Sequence, residues 1–461
     1  MKRNLLFLIP VALLMISCGQ GNTQKKQVET ADNKMVKIMT VDPGHFHAAL
    51  VQKTMYDQVS PDVNVYAPEG TDLQQHLGRI NSYNTRATDP TKWNEIVYTG
   101  ADFFEKMISD KPGNVVVLSG NNRKKSDYIL KSVQAGLNVL ADKPMVISPE
   151  DFQKLEEAFK IASEKNVLLY DIMTERYEIT TILQKELSQK EEIFGRLQEG
   201  SEKDPAVSKI SIHHFSKIVS GSPLIRPAWF FDVEQQGEGI VDVTTHLVDL
   251  VQWECFPGQI LKKEDISMVA AKRWPTIITK EEFKVVTGLD SYPEYLSKDI
   301  KDGSLNVFAN GEMIYQLKGI WAKVSVEWKY QAPPGGGDTH FSVMKGSKCD
   351  LVIRQTEAEK FLPTLYIENI KGGSVKDLMV KLNDVLKSLP YDSLTVENVN
   401  DKVLKVNVLK KYRVGHEEHF GQVTARYLEY LKDGKLPEWE VPNMITKYYT
   451  TTSALLKAKG N

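Results

Sequence analysis

Lys143, Asp242 and His246 are the residues whose types and spacing offer acid–base chemistry in this 461-residue chain. Asp242 and His246 stand four apart, so on a helix both face one side. A neutral imidazole has a proton affinity matched to neutral pH and can act as a general base. Lys143, which precedes Pro144, brings an ammonium that can hold negative charge developing on an oxygen. The Asp242 carboxylate can accept from a neighbouring hydroxyl and keep a ring in register. The same residue types fit plainer roles: Lys143 at the surface before a turn, Asp242 as a first-turn helix charge, His246 as a satisfied core histidine.

The elements that must position them alternate. Short apolar strands are expected at 36–41, 63–66, 96–98, 115–118, 139–140 and 167–170, and helices at 45–57, 101–109, 123–136 and 148–164. Ser148-Pro149-Glu150-Asp151 opens the last of these with a capping signature. Apolar strands alternating with helices imply a doubly wound parallel sheet covered on both faces, an α/β Rossmann arrangement over 35–171. From 172 to 461 the rhythm changes. A helix over 178–198 is followed by β-like runs at 207–215, 304–308, 321–330, 341–343 and 350–354, which give an α+β domain on a largely antiparallel open sheet. Residues 371–412 read as an insertion, and 418–433 and 441–458 as closing helices.

A dinucleotide site needs backbone room beside a diphosphate and a helix start aimed at it, usually G-x-G-x-x-G. Here the first strand–helix turn is Asp42-Pro43-Gly44-His45-Phe46-His47, in which only Gly44 keeps register. Asp42 takes the first glycine's place and His47 the third's. His45 and His47 could donate to phosphate oxygens, or be loop histidines with solvent partners. Glu69, beyond the second strand, could accept from a ribose 2′-hydroxyl and would repel a 2′-phosphate, which favours NAD over NADP.

Two later stretches carry a resemblance. Gly136-Leu-Asn-Val-Leu-Ala-Asp142-Lys143-Pro144 resembles the G-x-x-V-x-x-E-K-P stretch of the glucose–fructose oxidoreductase/inositol dehydrogenase/MocA family, with Asp142 in place of the usual Glu. Gly239-Ile-Val-Asp242-Val-Thr-Thr-His246-Leu-Val-Asp249 is similar to that family's D-x-x-x-H helix. Ser119-Gly120-Asn121-Asn122 stands where the family has a nicotinamide-side loop. The resemblance implies an NAD-dependent oxidoreductase acting on a secondary hydroxyl of a sugar or glycoside, the ring 3-hydroxyl among them. His246 would be the base, Lys143 would bind the reacting oxygen and Asp242 would orient it. Gly44, His45, Phe46, His47, Glu69, Gly120, Asn121, Asn122, Asp142, Lys143 and Pro144 would line the cofactor. An NAD-dependent glycoside hydrolase working by oxidation, elimination and re-reduction is an alternative on the same fold, and a non-catalytic carbohydrate-binding lipoprotein is another.

Arg226-Pro227-Ala228-Trp229-Phe230-Phe231-Asp232 lies upstream of that helix, where Trp229 could stack on a sugar and Arg226 and Asp232 could bind it. Phe230 and Phe231 fit core packing as well. His213, His214 and Lys217 end a strand and are candidates for the substrate wall, and Asp338-Thr339-His340, after a Pro-Gly-rich turn, is a weaker candidate. No metal site is expected: His45-x-His47 and His416-x-x-His419 each supply two ligands where zinc needs three or four. With 58 basic against 60 acidic residues, nothing favours a phosphate backbone, so no nucleic-acid partner is expected. No G-x-S-x-G or G-x-x-x-x-G-K-[ST] occurs.

Lys2 and Arg3, the apolar run 5–16 and Leu14-Met-Ile-Ser-Cys18-Gly19 read as an export signal ending in a lipoprotein box. The run is shorter than the ~20 apolar residues of a membrane span. By resemblance to a bacterial lipoprotein signal over 1–18, cleavage is expected before Cys18, which becomes the lipidated first residue, with 19–34 as a flexible tether. The expectation is a lipid-anchored, periplasm-facing protein that touches the membrane only through its anchor and forms a homo-oligomer. Free NAD should be scarce there, so the cofactor is expected to stay bound through turnover. Two cysteines remain, Cys255 and Cys349, both expected to be buried.

Overall fold

Strands β1 (Ile38–Val41), β2 (Asp62–Tyr66), β3 (Asn94–Tyr98), β4 (Val115–Leu118), β5 (Asn138–Asp142) and β6 (Leu169–Ile172) form a six-stranded sheet in the computed structural model. All pairs are parallel, in the order β3-β2-β1-β4-β5-β6. The described residues are 35–219, 222–371 and 374–460; the export signal, Cys18 and the tether expected over 19–34 lie outside them. β1 and β4 are buried at every position, as apolar runs covered on both faces must be. The strand order reverses between β1 and β4, which opens a crevice at their carboxyl ends. The helices are α1 (His47–Leu50), α2 (Thr71–Thr85), α3 (Phe103–Asp110), α4 (Lys125–Gln134) and α5 (Pro149–Lys165). α5 starts as its capping signature requires, with Ser148 Oγ accepting from the Asp151 amide at 3.1 Å.

Two local expectations are corrected. The helix over 45–57 is a single turn, α1. Trp93 Nε1 and Arg86 donate to the carbonyls of Gln52 and Lys53 at 2.5 and 2.9 Å, which an extended helix would have used itself. α2 had no counterpart in the pattern, because its polar sequence buries only Leu73, His76 and Ile80.

The chain then forms α6 (Ile179–Ser188), shorter than expected, and enters a ten-stranded sheet. Its main strands are β7 (Val207–Ser216), β8 (Ile266–Ile278), β9 (Ser304–Leu317), β10 (Ile320–Gln331), β11 (Thr339–Lys345), β12 (Asp350–Arg354), β13 (Thr364–Glu368), β14 (Thr395–Asn400) and β15 (Val403–Asn407). They run in the order β8-β9-β10-β7-β11-β12-β13-β15-β14. Only β10 and β7 pair in parallel. The stretch 371–412, expected as an insertion, extends this sheet through β14 and β15. Leu404 and Val406 join the second core there with Leu382 and Leu386 of helix Val375–Ser388.

Helices α7 (Val233–Gln236) and α8 (Thr244–Cys255) come between β7 and β8, with α9 (Lys280–Thr287) and α10 (Val375–Ser388) further on. α8 is buried along nearly its whole length and packs on β7 and β10. Helices α11 (His416–Asp433) and α12 (Glu440–Ala458) return to the parallel sheet, where Phe420, Val423, Tyr427, Met444 and Tyr448 complete the first core. A buried ionic seam fixes this return. Arg176 binds Asp249 of α8 at 2.6 and 2.7 Å and Glu440 of α12 at 2.8 Å. Lys447 of α12 binds Asp249 at 2.9 Å and Asp171 of β6 at 2.7 Å. No helix among the described residues is long and apolar enough to cross a membrane.

Candidate active site

The turn from β1 to α1 is the first wall. Asp42, in the first glycine's place, has φ 48°, the left-handed conformation that glycine would supply. Gly120 approaches it so closely that a Cβ there would lie 2.1 Å from the Asp42 carbonyl oxygen. The turn's amides are already engaged: Gly44 donates to Asp42 O, His45 to Ser119 O, and His47 to the His45 ring. A Cβ at Gly44 would meet the Asp72 carboxylate at 2.8 Å and the Trp229 indole at 3.0 Å. Trp229 Nε1 donates to Asp72 Oδ2 at 2.7 Å. Burial, with Asp72 opposite, pushes the Asp42 carboxyl up to about 6.

Behind this turn the histidines converge on the end of β5. His47 Nδ1 lies 2.8 Å from Asp142 Oδ2, and His45 Nδ1 3.8 Å from the same oxygen. Ser119 Oγ donates to that oxygen at 3.0 Å, and Lys125 Nζ to the Asp142 carbonyl at 3.0 Å. Phe46 packs against both neighbouring imidazoles. His416, at the start of α11, brings its ring 5.0 Å from that of His47. Burial holds His45 and His47 well below the ordinary imidazole range, whereas His416 is exposed at the surface.

Lys143 follows, joined to Pro144 by a cis peptide. Its Nζ meets Asp242 Oδ1 at 2.6 Å, and Gln236 donates to the other Asp242 oxygen at 3.1 Å. One turn on, His246 is 9% exposed and its Nδ1 has no hydrogen-bond partner. Burial first, then the Lys143 ammonium and His416, keep His246 neutral well below its ordinary value. A neutral buried imidazole beside an ion-paired lysine can take a proton from a hydroxyl held by that lysine.

The opposite wall is an anchored charge cluster. Asp338 accepts the His214 amide at 3.1 Å, lies 3.0 Å from His213 Nδ1 and is paired with Lys217. Partial burial would raise its carboxyl, yet the neighbouring His213 holds it well below the usual range. The His214 ring is buried, with Nδ1 3.4 Å from Asp338. Sequence reasoning passed over Glu175 and Lys125. Burial and the neighbouring Glu178 push Glu175 up to about 7, against the pull of Lys143, while burial lowers Lys125 to about 8.

Other sequence candidates are placed away from free contact. Arg226 is buried and donates to the carbonyls of Phe215 and His214, at 2.9 Å each, with its guanidinium over Phe230. Asp232 is fully buried, caps α7 and pairs with Arg123 and Lys298. Phe230 and Phe231 are core. Asn121 and Asn122 donate to Gln235 and to the Gln236 carbonyl at 2.7 Å each, which ties the β4 loop to the second domain. Glu69 is exposed.

A nicotinamide dinucleotide fits these residues at one end only. Lys143, Asp242, His246 and the unpartnered Asn122 Oδ1 suit the ring and its reacting partner. At the diphosphate end the amides are engaged, two carboxylates stand where anions would dock, and Trp229 fills the approach to Gly44. A diphosphate would need Trp229 and Asp72 to turn aside from Gly44.

Comparison with known proteins gives a consistent picture. The family model described as "Oxidoreductase family, NAD-binding Rossmann fold" matches residues 66–170, starting after the β1–α1 turn. The model described as "Putative oxidoreductase C terminal domain" matches 183–459. No curated protein matches the chain. A crystal structure of a "putative oxidoreductase" from Parabacteroides merdae is 57% identical, with TM-score 0.90, over 93% of this chain and 98% of that one. Two distant structures share the fold. A 3-ketoreductase from Actinomadura kijaniata, solved with NADP and TDP-benzene, is 11% identical with TM-score 0.53, over 90% of this chain and 95% of that one. GenD2 from gentamicin A biosynthesis, solved with NAD, is 15% identical with TM-score 0.54, over 93% and 95%.

Proposed function

The chain belongs to the Gfo/Idh/MocA oxidoreductase family, whose Rossmann domain binds NAD, and on that premise we propose that it interconverts a secondary hydroxyl and a ketone on a sugar or glycoside. The observation that carries this reading is the Lys143–Asp242 ion pair at 2.6 Å, one helical turn from His246. NAD, when bound, supplies a hydride acceptor. The protein's residues handle the oxygen. Lys143 holds it and stabilises charge on it, neutral His246 takes its proton, and Asp242 fixes the ammonium and accepts from a neighbouring hydroxyl. The similarity in fold to a 3-ketoreductase and to a gentamicin-pathway protein supports a sugar-like substrate.

From the reading of residues 1–18 as an export signal, we further propose a mature chain anchored through Cys18 at the periplasmic side of the envelope, with NAD retained rather than exchanged. The open face of the second sheet is our candidate for a homo-oligomer contact, which light scattering checks. A Cys18→Ala variant that stays in the membrane fraction would remove the anchor from this account. The function is tested on protein purified without added nucleotide. NAD in the denatured supernatant and a keto-glycoside product support the proposal. Free reducing sugar without net redox would mark hydrolysis. Absence of turnover on any glycoside with NAD or NADP added would refute the enzyme.

A further inference from the structure

We propose that His45, His47 and Asp142 form a binding site for one divalent transition-metal ion, with the imidazole of His416 beside it as a fourth ligand. The ligand atoms of His45, His47 and Asp142 all lie within 4.8 Å of one another, and the His416 ring lies 5.0 Å from that of His47. Bonds of ~2.0–2.2 Å to nitrogen and oxygen set neighbouring ligands roughly 3–3.5 Å apart. The observed separations of 2.8 Å (His47 to Asp142) and 3.8 Å (His45 to Asp142) bracket that spacing. Small side-chain movements would therefore complete the shell.

Three further observations point the same way. The chain has nine histidines, and four of them, from three separate segments, gather around the end of β5: His45 and His47, His246, and His416. His246 is nine-tenths buried, lies within electrostatic reach of His416 and Asp142, and leaves Nδ1 without a partner. Ser119 Oγ donates at 3.0 Å to Asp142 Oδ2, the oxygen that faces His45 and His47, and so fixes the carboxylate's orientation. Of the lysine charges that would oppose a cation, Lys143 is paired with Asp242 and Lys217 with Asp338. Lys125 remains as a cost, and its Nζ is turned onto the Asp142 carbonyl.

The turn that supplies two of the ligands is the one with its amides engaged, and it lies outside the NAD-binding match at 66–170. Two or three imidazoles with one carboxylate suit zinc, cobalt, manganese or ferrous iron rather than calcium or magnesium. An open coordination position beside Lys143 would accept a hydroxyl or carbonyl oxygen of a substrate.

The experiment uses the mature protein, stripped with a chelator and free of nucleotide, so its outcome is independent of NAD retention. Cobalt(II) and then zinc(II) are titrated in, and metal content is measured by mass spectrometry. One equivalent per chain is expected, with a visible cobalt absorption displaced by zinc. That signal should be lost in His47→Ala and Asp142→Asn, and Ser119→Ala should weaken binding about tenfold. His45→Ala, at a partly exposed side chain, is the variant to read if the buried ones fail to fold. Failure of cobalt, zinc, manganese and nickel to bind stoichiometrically overturns the site. So does binding that the folded variants leave unchanged.

Discussion

The Lys143 ammonium and the Asp242 carboxylate, 99 positions apart, meet at 2.6 Å where the two domains touch. One comes from the end of the parallel sheet and the other from the turn that leads into α8. The ionic seam around Asp249 ties α8 to Arg176 and to Lys447 of α12. Replacing Lys143 by Met removes the group that steadies charge on the reacting oxygen. Turnover of an active glycoside should fall about 10²–10⁴-fold, with a smaller loss for Asp242→Asn. A Lys143→Met protein within twofold of the wild-type kcat/KM would place the chemistry elsewhere.

Trp229 and Asp72 close the approach to Gly44. Truncating the indole opens that approach, and neutralising the carboxylate removes a charge that repels a diphosphate. The double variant Trp229→Ala/Asp72→Asn should therefore bind added NAD about tenfold more tightly, roughly 1.4 kcal/mol. Calorimetry on nucleotide-free protein checks it. Unchanged or weaker affinity would mean that Trp229 is a cofactor contact and not an obstacle.

Much of this was legible in the sequence. The strands of the parallel sheet declared themselves as short Val/Ile/Leu runs, and Lys143, Asp242 and His246 stood out by their resemblance to the family's motifs. What stayed hidden has physical reasons. α2 is too polar to show a hydrophobic period, and α1 ends early because Trp93 and Arg86 capture its carbonyls. β8 has partly exposed residues almost throughout, so it shows no clean alternation. The His45–His47 pair offered two ligands, and only the fold supplies Asp142, 95 residues on from His47, as a third. Arg226 and Asp232 looked available because a sequence cannot show that backbone carbonyls and a helix cap already claim them.

The seam at α12 should dominate stability. Lys447 is fully buried and bridges Asp171 and Asp249. Burial alone would raise the Asp249 carboxyl, yet Arg176 and Lys447 hold it well below the ordinary range. Lys447→Met would leave two buried carboxylates short of a partner, at a cost of about 3–5 kcal/mol. Its contribution is present above the ordinary carboxylate range and is lost as pH falls through the lowered value, so the variant's deficit should shrink in acid. Chemical denaturation at two pH values measures both effects. A loss under about 1 kcal/mol would show that the seam is not needed to hold α8.

Asp42 gives the opposite sign. Its carboxyl moves from 3.8 to about 6 on folding, through burial and the facing Asp72. Between those values the folded chain keeps a proton that the unfolded chain releases, so stability falls as pH rises across that window. Asn tolerates the φ of 48° and carries no charge. Asp42→Asn should match the wild type near about pH 4 and exceed it by about 1–3 kcal/mol near about pH 8. Thermal melts of both proteins across that range decide it. A stability difference that stays constant with pH would mean that Asp42 is ionised at no cost and that the turn tolerates its charge.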